Sequence, residues 1–89
     1  MGNTIGHILI SYDINRSHTE VKRKLEEKGY LDHFKYHGAS KTYYLPNTTL
    51  WHTKMSSSQA LEDLKSVCQM YSVVLEKAVA VKASEFIAI

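Results

Sequence analysis

A run of apolar residues at helical spacing constrains the fold of this chain more than any other feature. Its members recur at i, i+3, i+4 and i+7, and they are Ala60, Leu61, Leu64, Val67, Cys68, Tyr71, Val74 and Leu75. Ser56 and Gln59 form a capping box just before the run, so the pattern predicts a helix from about residue 57 to about residue 75. Such a helix must bury its apolar stripe against another layer. Cys68 lies on that stripe, which predicts a buried, inert thiol.

A period of two near the N-terminus predicts a strand over residues 7–14, with the sequence HILISYDI. One set of alternating side chains is Ile8, Ile10, Tyr12 and Ile14, and the other is His7, Leu9, Ser11 and Asp13. Both sets are apolar near the start of the strand. We therefore expect both faces of this strand to be covered.

The remaining elements carry shorter signals. Ser17 and Glu20 form a capping box and Gly29 is a natural C′ residue, which predicts a helix of about three turns between them. Residues 30–40 hold a weak strand signal. Residues 41–45 and 48–53 flank a turn at Pro46-Asn47, and an antiparallel hairpin is the simplest interpretation. Residues 77–83 alternate as a strand, and the apolar residues 84–89 predict a further strand.

The resulting order is strand, helix, two strands, helix, strand. This predicts an α+β fold of the ferredoxin-like β-α-β-β-α-β type, with two helices on one face of an antiparallel sheet and an extra C-terminal strand. At 89 residues, the chain is expected to form a single domain over residues 1–89. The other sheet face has no helix to cover it. If Leu9 and Trp51 lie there, a homodimer packed sheet to sheet is the economical solution.

Composition limits the compartment and the kinds of partner that are expected for this chain. The formal net charge of +2 permits nucleic-acid binding without arguing for it. The chain has one cysteine, which favours a reducing compartment. The N-terminal residues lack the pattern of a signal peptide, and the apolar runs are shorter than a membrane span. These features predict a soluble cytoplasmic protein without a membrane partner.

Two stretches resemble a known family. The segment ILISYDIN, followed by a capped helix that ends at Gly29, and the segment LPNTTLWHTKMSSSQAL are similar to small bacterial Cas-two-like proteins often labelled SinR family. These are relatives of CRISPR-associated endoribonucleases and of VapD toxins. The resemblance covers most of the chain. The chain differs in a longer loop over residues 30–40 and in lacking a clear Arg- and Phe-containing strand after the first helix.

The resemblance implies a ferredoxin-like homodimer. It also implies that Asp13, at the end of the first strand, faces its own copy across the dimer axis. In catalytic members the paired carboxylates hold a divalent metal for phosphodiester cleavage, so Asp13 is the candidate catalytic and metal-binding residue, with Mg²⁺ as the cofactor.

The residues themselves support two interpretations of Asp13. If its face forms the dimer interface, two carboxylates approach closely and must share a proton or a cation, and Mg²⁺ suits a carboxylate pair with phosphate oxygens. Alternatively, Asp13 simply ends the strand and accepts backbone N–H groups in the turn through Asn15 and Arg16.

Other candidate groups also have two interpretations. Arg16, Lys22 and Arg23 can contact phosphates beside Asp13, or they can form a solvated helix face. His33 and His37 have the i, i+4 spacing of a zinc pair, but they are not predicted to be helical. His7 and His52 can approach on neighbouring strands, but such histidines are more often structural than metal ligands. We assign no metal to either pair. Tyr36, Tyr43, Tyr44 and Trp51 can form a stacking platform for single-stranded nucleic acid, although core or dimer packing is the simpler explanation.

The leading functional hypothesis is a homodimer that acts on RNA or DNA, as a metal-dependent endoribonuclease through paired Asp13. The alternative is a non-catalytic dimeric binding module that keeps the fold without nuclease activity. A small-molecule-binding dimer is a third class, for which the sequence has no ligand fingerprint.

Overall fold

The structure is a computed structural model that describes residues 2–35 and 41–83. The predicted strand over residues 84–89 lies outside the described residues. The described elements are, in chain order, β1 (Gly6–Ile14), α1 (His18–Glu27), β2 (His33–Phe34), β3 (Tyr43–Tyr44), β4 (Thr49–Met55), α2 (Ser57–Met70) and β5 (Leu75–Lys82). The architecture is therefore α+β, as predicted.

Among the described residues, the main sheet has three antiparallel strands in the order β4-β1-β5, so the first strand is central. Leu9 pairs with Trp51 on one side and with Val81 on the other. A small second sheet joins β2 and β3. It is linked to the edge of the main sheet by an isolated bridge between Leu31 and Trp51, with two backbone hydrogen bonds of 2.7 and 3.0 Å.

One face of the main sheet packs against both helices. The alternation in β1 predicted this face, because the four residues of its first set are all buried. They meet Val21 and Leu25 of α1 and the stripe of α2 in a single core cluster. Burying a side chain of this size contributes roughly 1.5–3 kcal/mol. Cys68 is buried in the cluster, as predicted, and burial raises the pKa of its thiol.

The predicted hairpin between residues 41–45 and 48–53 is wrong. Tyr43 and Tyr44 pair with Phe34 and His33 instead, while β4 pairs with β1. The turn at Pro46 does form, since the Thr49 amide donates to the Pro46 carbonyl at 3.1 Å. Thr48 has a left-handed φ of 62°. After this turn, β4 pairs with the longer strand β1.

The predicted end of the second helix is also wrong, while its start is confirmed. Ser56 Oγ accepts the Gln59 amide at 3.1 Å, which caps α2 as expected. The helix ends at Met70 because Ser72 has a left-handed φ of 54°. Val74 is exposed and Leu75 begins β5, so their place in the helical stripe was coincidental.

The two ends of α1 differ in how they meet the prediction. Ser17 occupies the N-cap position with a left-handed backbone (φ 60°), and its side chain makes no capping hydrogen bond. The capping-box prediction is therefore wrong for this helix. Gly29 ends the helix as predicted, with a φ of 98°. The Gly29 amide donates to Glu26 and the Tyr30 amide donates to Leu25, which is the hydrogen-bond pair of a Schellman motif.

Gly29→Ala is expected to lower the free energy of unfolding by about 2 kcal/mol, because an L-residue is strained at this φ. A Cβ at Gly29 would also lie 2.8 Å from Nε2 of His52. The ring of His52 is held there, since it contacts the Lys28 carbonyl at 3.3 Å and its Nδ1 accepts the Lys54 amide at 3.0 Å.

Urea unfolding of Gly29→Ala, and of Gly6→Ala as the control, checks this prediction. Gly6 has no positive φ, and its Cβ would meet only the flexible end of Lys82 at 3.1 Å. Gly6→Ala should therefore cost much less than Gly29→Ala. Adding His52→Ala to Gly29→Ala removes the steric contact and leaves the strain of the backbone. Equal losses for the two glycine variants would contradict the argument from φ.

Candidate functional site

The face of the main sheet opposite the helices carries the candidate site. In an antiparallel sheet, directly paired residues share a face. The rows across this face are Trp51–Leu9–Val81, Thr49–Ser11–Val79 and Asp13–Lys77. Val79 and Val81 are exposed, and Leu9 is half-buried. The face is thus apolar in the row through Leu9, mixed in the row through Ser11 and charged at the end of β1.

Asp13 lies at that charged end, and its side chain is exposed. It borders an open groove of about 400 Å³ lined by Ser11, Tyr12, Asp13, Thr48, Lys77, Ala78 and Val79. The pairing of β1 with β5 shifts register between Asp13 and Ile14. Such irregularities can redirect a side chain at the end of a strand. The exposed carboxylate is therefore accessible to a ligand in the groove.

Lys77 is the cross-strand neighbour of Asp13. Directly opposite residues have Cβ atoms about 4.5–5.5 Å apart, so these two side chains of opposite charge start close together on the same face. Sequence reasoning missed Lys77 as a site residue. The alternation of residues 77–83 indicated a strand, but it contained no signal for which residue would lie opposite Asp13.

The turn after Asp13 is held by its neighbours. Asn15 Oδ1 accepts the Val74 amide at 3.0 Å, and Arg16 donates to the Ser72 carbonyl at 2.6 Å. The N–H acceptor role that the simple strand-end interpretation gave to Asp13 is thus filled here by Asn15. Arg16 lies near the end of β1, where its guanidinium binds the backbone of the α2–β5 turn.

Lys22 and Arg23 are not brought to the Asp13 face. They belong to α1, which packs on the opposite side of the sheet through Val21 and Leu25. Lys22 Nζ lies 2.8 Å from Asp32 Oδ2. That hydrogen bond raises the pKa of the Lys22 ammonium and lowers the pKa of the Asp32 carboxyl. Arg23 is exposed to solvent.

The histidines are spread over the molecule. His7 stacks on Trp51, with ring centroids 5.5 Å apart, on the helix-free face. His52 pairs with the buried Ile8 and packs edge-on against Tyr30 at 5.0 Å, so it lies on the other face. His33 is in β2, and His37 lies outside the described residues. Within residues 2–35 and 41–83, no three His, Cys, Asp or Glu side chains are grouped to hold a metal ion.

The four aromatic residues of the candidate platform have different environments. Tyr43 stacks on the buried Phe34 with centroids 5.7 Å apart, and Tyr36 lies outside the described residues. Tyr44 is 71% exposed, so core packing does not explain it. Trp51 is half-buried and donates its indole N–H to the His33 carbonyl at 2.7 Å.

Comparisons of the chain with protein-family models, with curated proteins and with solved structures return no match. In the part of the chain that the structure describes, no helix has both the length and the apolar character needed to span a membrane.

Proposed function

We propose that this chain is a ferredoxin-like domain that dimerises through its helix-free sheet face and cleaves nucleic acid with a divalent metal held by Asp13 and its copy. The fold part of the proposal is supported by the strand order. The last strand, the first strand and β4 are neighbours, and Leu31 bridges to the free edge of β4. The split β-α-β arrangement places its four strands in this order.

An apolar patch on the helix-free face supports dimerisation. Leu9, Val79 and Val81 lie side by side on β1 and β5, and Val79 is 54% exposed. An exposed apolar sheet face of this kind is typical of an interaction surface. A second copy is the partner that offers a self-complementary apolar face, and a two-fold axis near β1 would bring the two Asp13 residues toward each other.

The single observation that carries the catalytic proposal is the exposed position of Asp13 at the end of this apolar patch. One carboxylate per protomer does not make a metal site, but two carboxylates with phosphate oxygens and waters suit Mg²⁺. A cation held there supplies Lewis-acid activation of water and neutralises charge on the phosphate. Lys77, on the same face, would attract the phosphate and hold it beside Asp13.

The direct test is a cleavage assay on RNA and DNA with Mg²⁺ or Mn²⁺, run with EDTA and with Asp13→Ala in parallel. We expect cleavage that needs both the metal and Asp13. Equal activity in the wild-type protein and Asp13→Ala, or no activity in either, would remove the catalytic proposal.

Dimerisation has its own prediction. Val79→Glu should weaken the dimer by at least about 100-fold, because each protomer would bury an unpaired carboxylate. Val74→Glu is the matched control, since Val74 is 56% exposed but lies outside the rows of this face. Sedimentation velocity over a range of concentrations measures both dissociation constants. A wild-type monomer, or equal effects of the two variants, would contradict the proposed interface.

The alternative function is a dimeric binding module without nuclease activity. The pairing of Asp13 with Lys77 favours it, because a neighbouring ammonium can balance the carboxylate without a metal. In that case nucleic acid would be retained at low salt without cleavage, and divalent metal would have no effect on it.

A further inference from the structure

Two pairs of rings lie next to each other at the β4 edge of the main sheet. We call these four residues, His7, Trp51, His33 and Tyr44, the aromatic strip. His7 stacks on Trp51 at 5.5 Å, and the rings of His33 and Tyr44 are 5.8 Å apart. The hydrogen bond from the Trp51 indole to the His33 carbonyl joins the two ring pairs.

The strip is held in place by its backbone and by one carboxylate. His33 pairs with Tyr44, and Leu31 bridges to Trp51. Asp32 Oδ1 accepts from His33 Nδ1 at 2.8 Å, while its other oxygen binds Lys22. Because the rings are positioned before any ligand arrives, binding on them would cost little ordering entropy.

The strip is exposed rather than part of the core. Tyr44 is 71% exposed, His7 and His33 are exposed, and Trp51 is half-buried. His7 and Trp51 lie beside Leu9 on the helix-free face, whereas His33 and Tyr44 belong to the second sheet, beyond the β4 edge of the patch proposed for dimerisation.

The stretch of sequence that contains His33, Tyr44 and Trp51 carries a net positive charge. Residues 28–55 contain four cations, Lys28, Lys35, Lys41 and Lys54, and one acid, Asp32, for a formal charge of +3. The rest of the chain has seven cations and eight acids, for −1, which together give the total of +2. The single acid of this segment is already neutralised by Lys22. Lys41 Nζ lies 4.8 Å from the centroid of the Tyr43 ring, and Tyr43 is the neighbour of Tyr44 in β3.

From this combination we propose that the aromatic strip binds single-stranded nucleic acid, with bases stacked on Tyr44 and on the Trp51–His7 pair and phosphates near Lys35 and Lys41. Exposed rings flanked by cations are the usual means of binding a single strand without sequence preference. A duplex hides the faces of its bases in its own stack, so it cannot use these rings. The inference deepens the proposed function by naming its substrate class, and it does not depend on cleavage.

Trp51 is the only tryptophan of the chain, so its fluorescence reports directly on the strip. The probe is an oligoadenylate RNA of about 12 nucleotides, a length within the range bound by small single-strand modules. Its duplex with oligouridylate is the comparison. The titrations contain EDTA, which prevents metal-dependent cleavage. They are run at about 50 mM salt, which favours contacts between lysines and phosphates.

We expect the single strand to quench Trp51 saturably and to bind at least about 10-fold more tightly than the duplex. Tyr44→Leu should weaken binding about 10-fold, whereas Tyr44→Phe, which keeps the ring, should stay within about 2-fold. Tyr71→Leu is the control for an exposed tyrosine away from the strip, at the end of α2. Lys41→Ala should reduce the salt dependence of binding, and Lys65→Ala on α2 should not.

Absence of quenching, equal binding of the duplex, or wild-type affinity in Tyr44→Leu would overturn the proposal. A Tyr44→Leu protein that binds normally but changes its sedimentation would assign the strip to a protein contact instead. Repeating the titration with Asp13→Asn separates the two proposals. Retained binding in that variant supports the strip whether or not cleavage is ever observed, and lost binding would place the nucleic acid at the Asp13 groove and overturn the assignment.

Discussion

Asp13→Asn is expected to reduce metal-dependent cleavage by at least about 100-fold while the protein stays folded. The amide keeps the size of the side chain but removes the charge that would hold a divalent cation, and the loss of one preorganised electrostatic group costs on this scale. Asp13 is exposed and outside the core cluster, so the substitution should leave the melting temperature nearly unchanged. Glu62→Gln, an exposed carboxylate on α2, is the matched control and should cleave like the wild-type protein.

A mixing experiment distinguishes a shared site from two independent ones. If wild-type and Asp13→Asn protomers are mixed equally and allowed to exchange, about one quarter of the dimers contain two wild-type copies. A site that needs both carboxylates then retains about one quarter of the wild-type activity, while independent sites retain about one half. Residual activity near one half would contradict the pairing of Asp13 across the axis, even if Asp13 itself proved essential.

The face on which Asp13 lies could be predicted from the sequence, because strand alternation has a fixed period. The start of α2 could also be predicted, since Ser56 makes a local hydrogen bond to a residue three positions away. Both features depend on residues that are close to one another in the sequence. Such local patterns can be recognised in a single sequence.

Partners distant in the chain could not be predicted in the same way. The sequence predicts that Tyr43 and Tyr44 pair with residues 48–53, but they pair with β2, where Tyr43 stacks on Phe34. The position of Lys77 opposite Asp13 depends on the register between β1 and β5, which residues far apart in the chain determine together. Lys22 and Arg23 follow Asp13 closely in sequence, yet the helix carries them to the other face of the sheet.

Alkaline pH is expected to destabilise the fold through two buried tyrosines. Tyr30 is 1% exposed, and its hydroxyl donates to Asp63 Oδ2 at 3.0 Å. Burial, together with this hydrogen bond, raises the pKa of Tyr30. Burial also raises the pKa of Tyr12 to about 12, from an ordinary value of 10.0, with smaller contributions from the charges of Cys68 and Glu26.

The direction of the effect follows from the neutral form that the fold requires. In the unfolded chain both phenols ionise near pH 10, whereas in the folded protein they stay neutral to a higher pH. Their contribution to stability is therefore complete below pH of about 10 and falls as the pH rises above it. For Tyr12 alone the loss is about 2 kcal/mol at pH 12, and Tyr30 adds to it. The raised pKa of Cys68 acts in the same direction from a somewhat lower pH.

Urea unfolding between pH 8 and pH 11 measures this loss. The wild-type protein should lose stability steeply above pH of about 10, and the double variant Tyr12→Phe/Tyr30→Phe should follow a flatter curve. At pH 8, Tyr30→Phe should cost about 1 kcal/mol, because Asp63 loses one donor and keeps Gln59 Nε2 at 2.9 Å. Tyr71→Phe, at an exposed tyrosine, should keep the wild-type slope. If the free energy of unfolding of the double variant falls with pH as steeply as that of the wild-type protein, the tyrosines do not cause the loss. It would then be assigned to lysines such as Lys22, because its hydrogen bond to Asp32 also requires a proton.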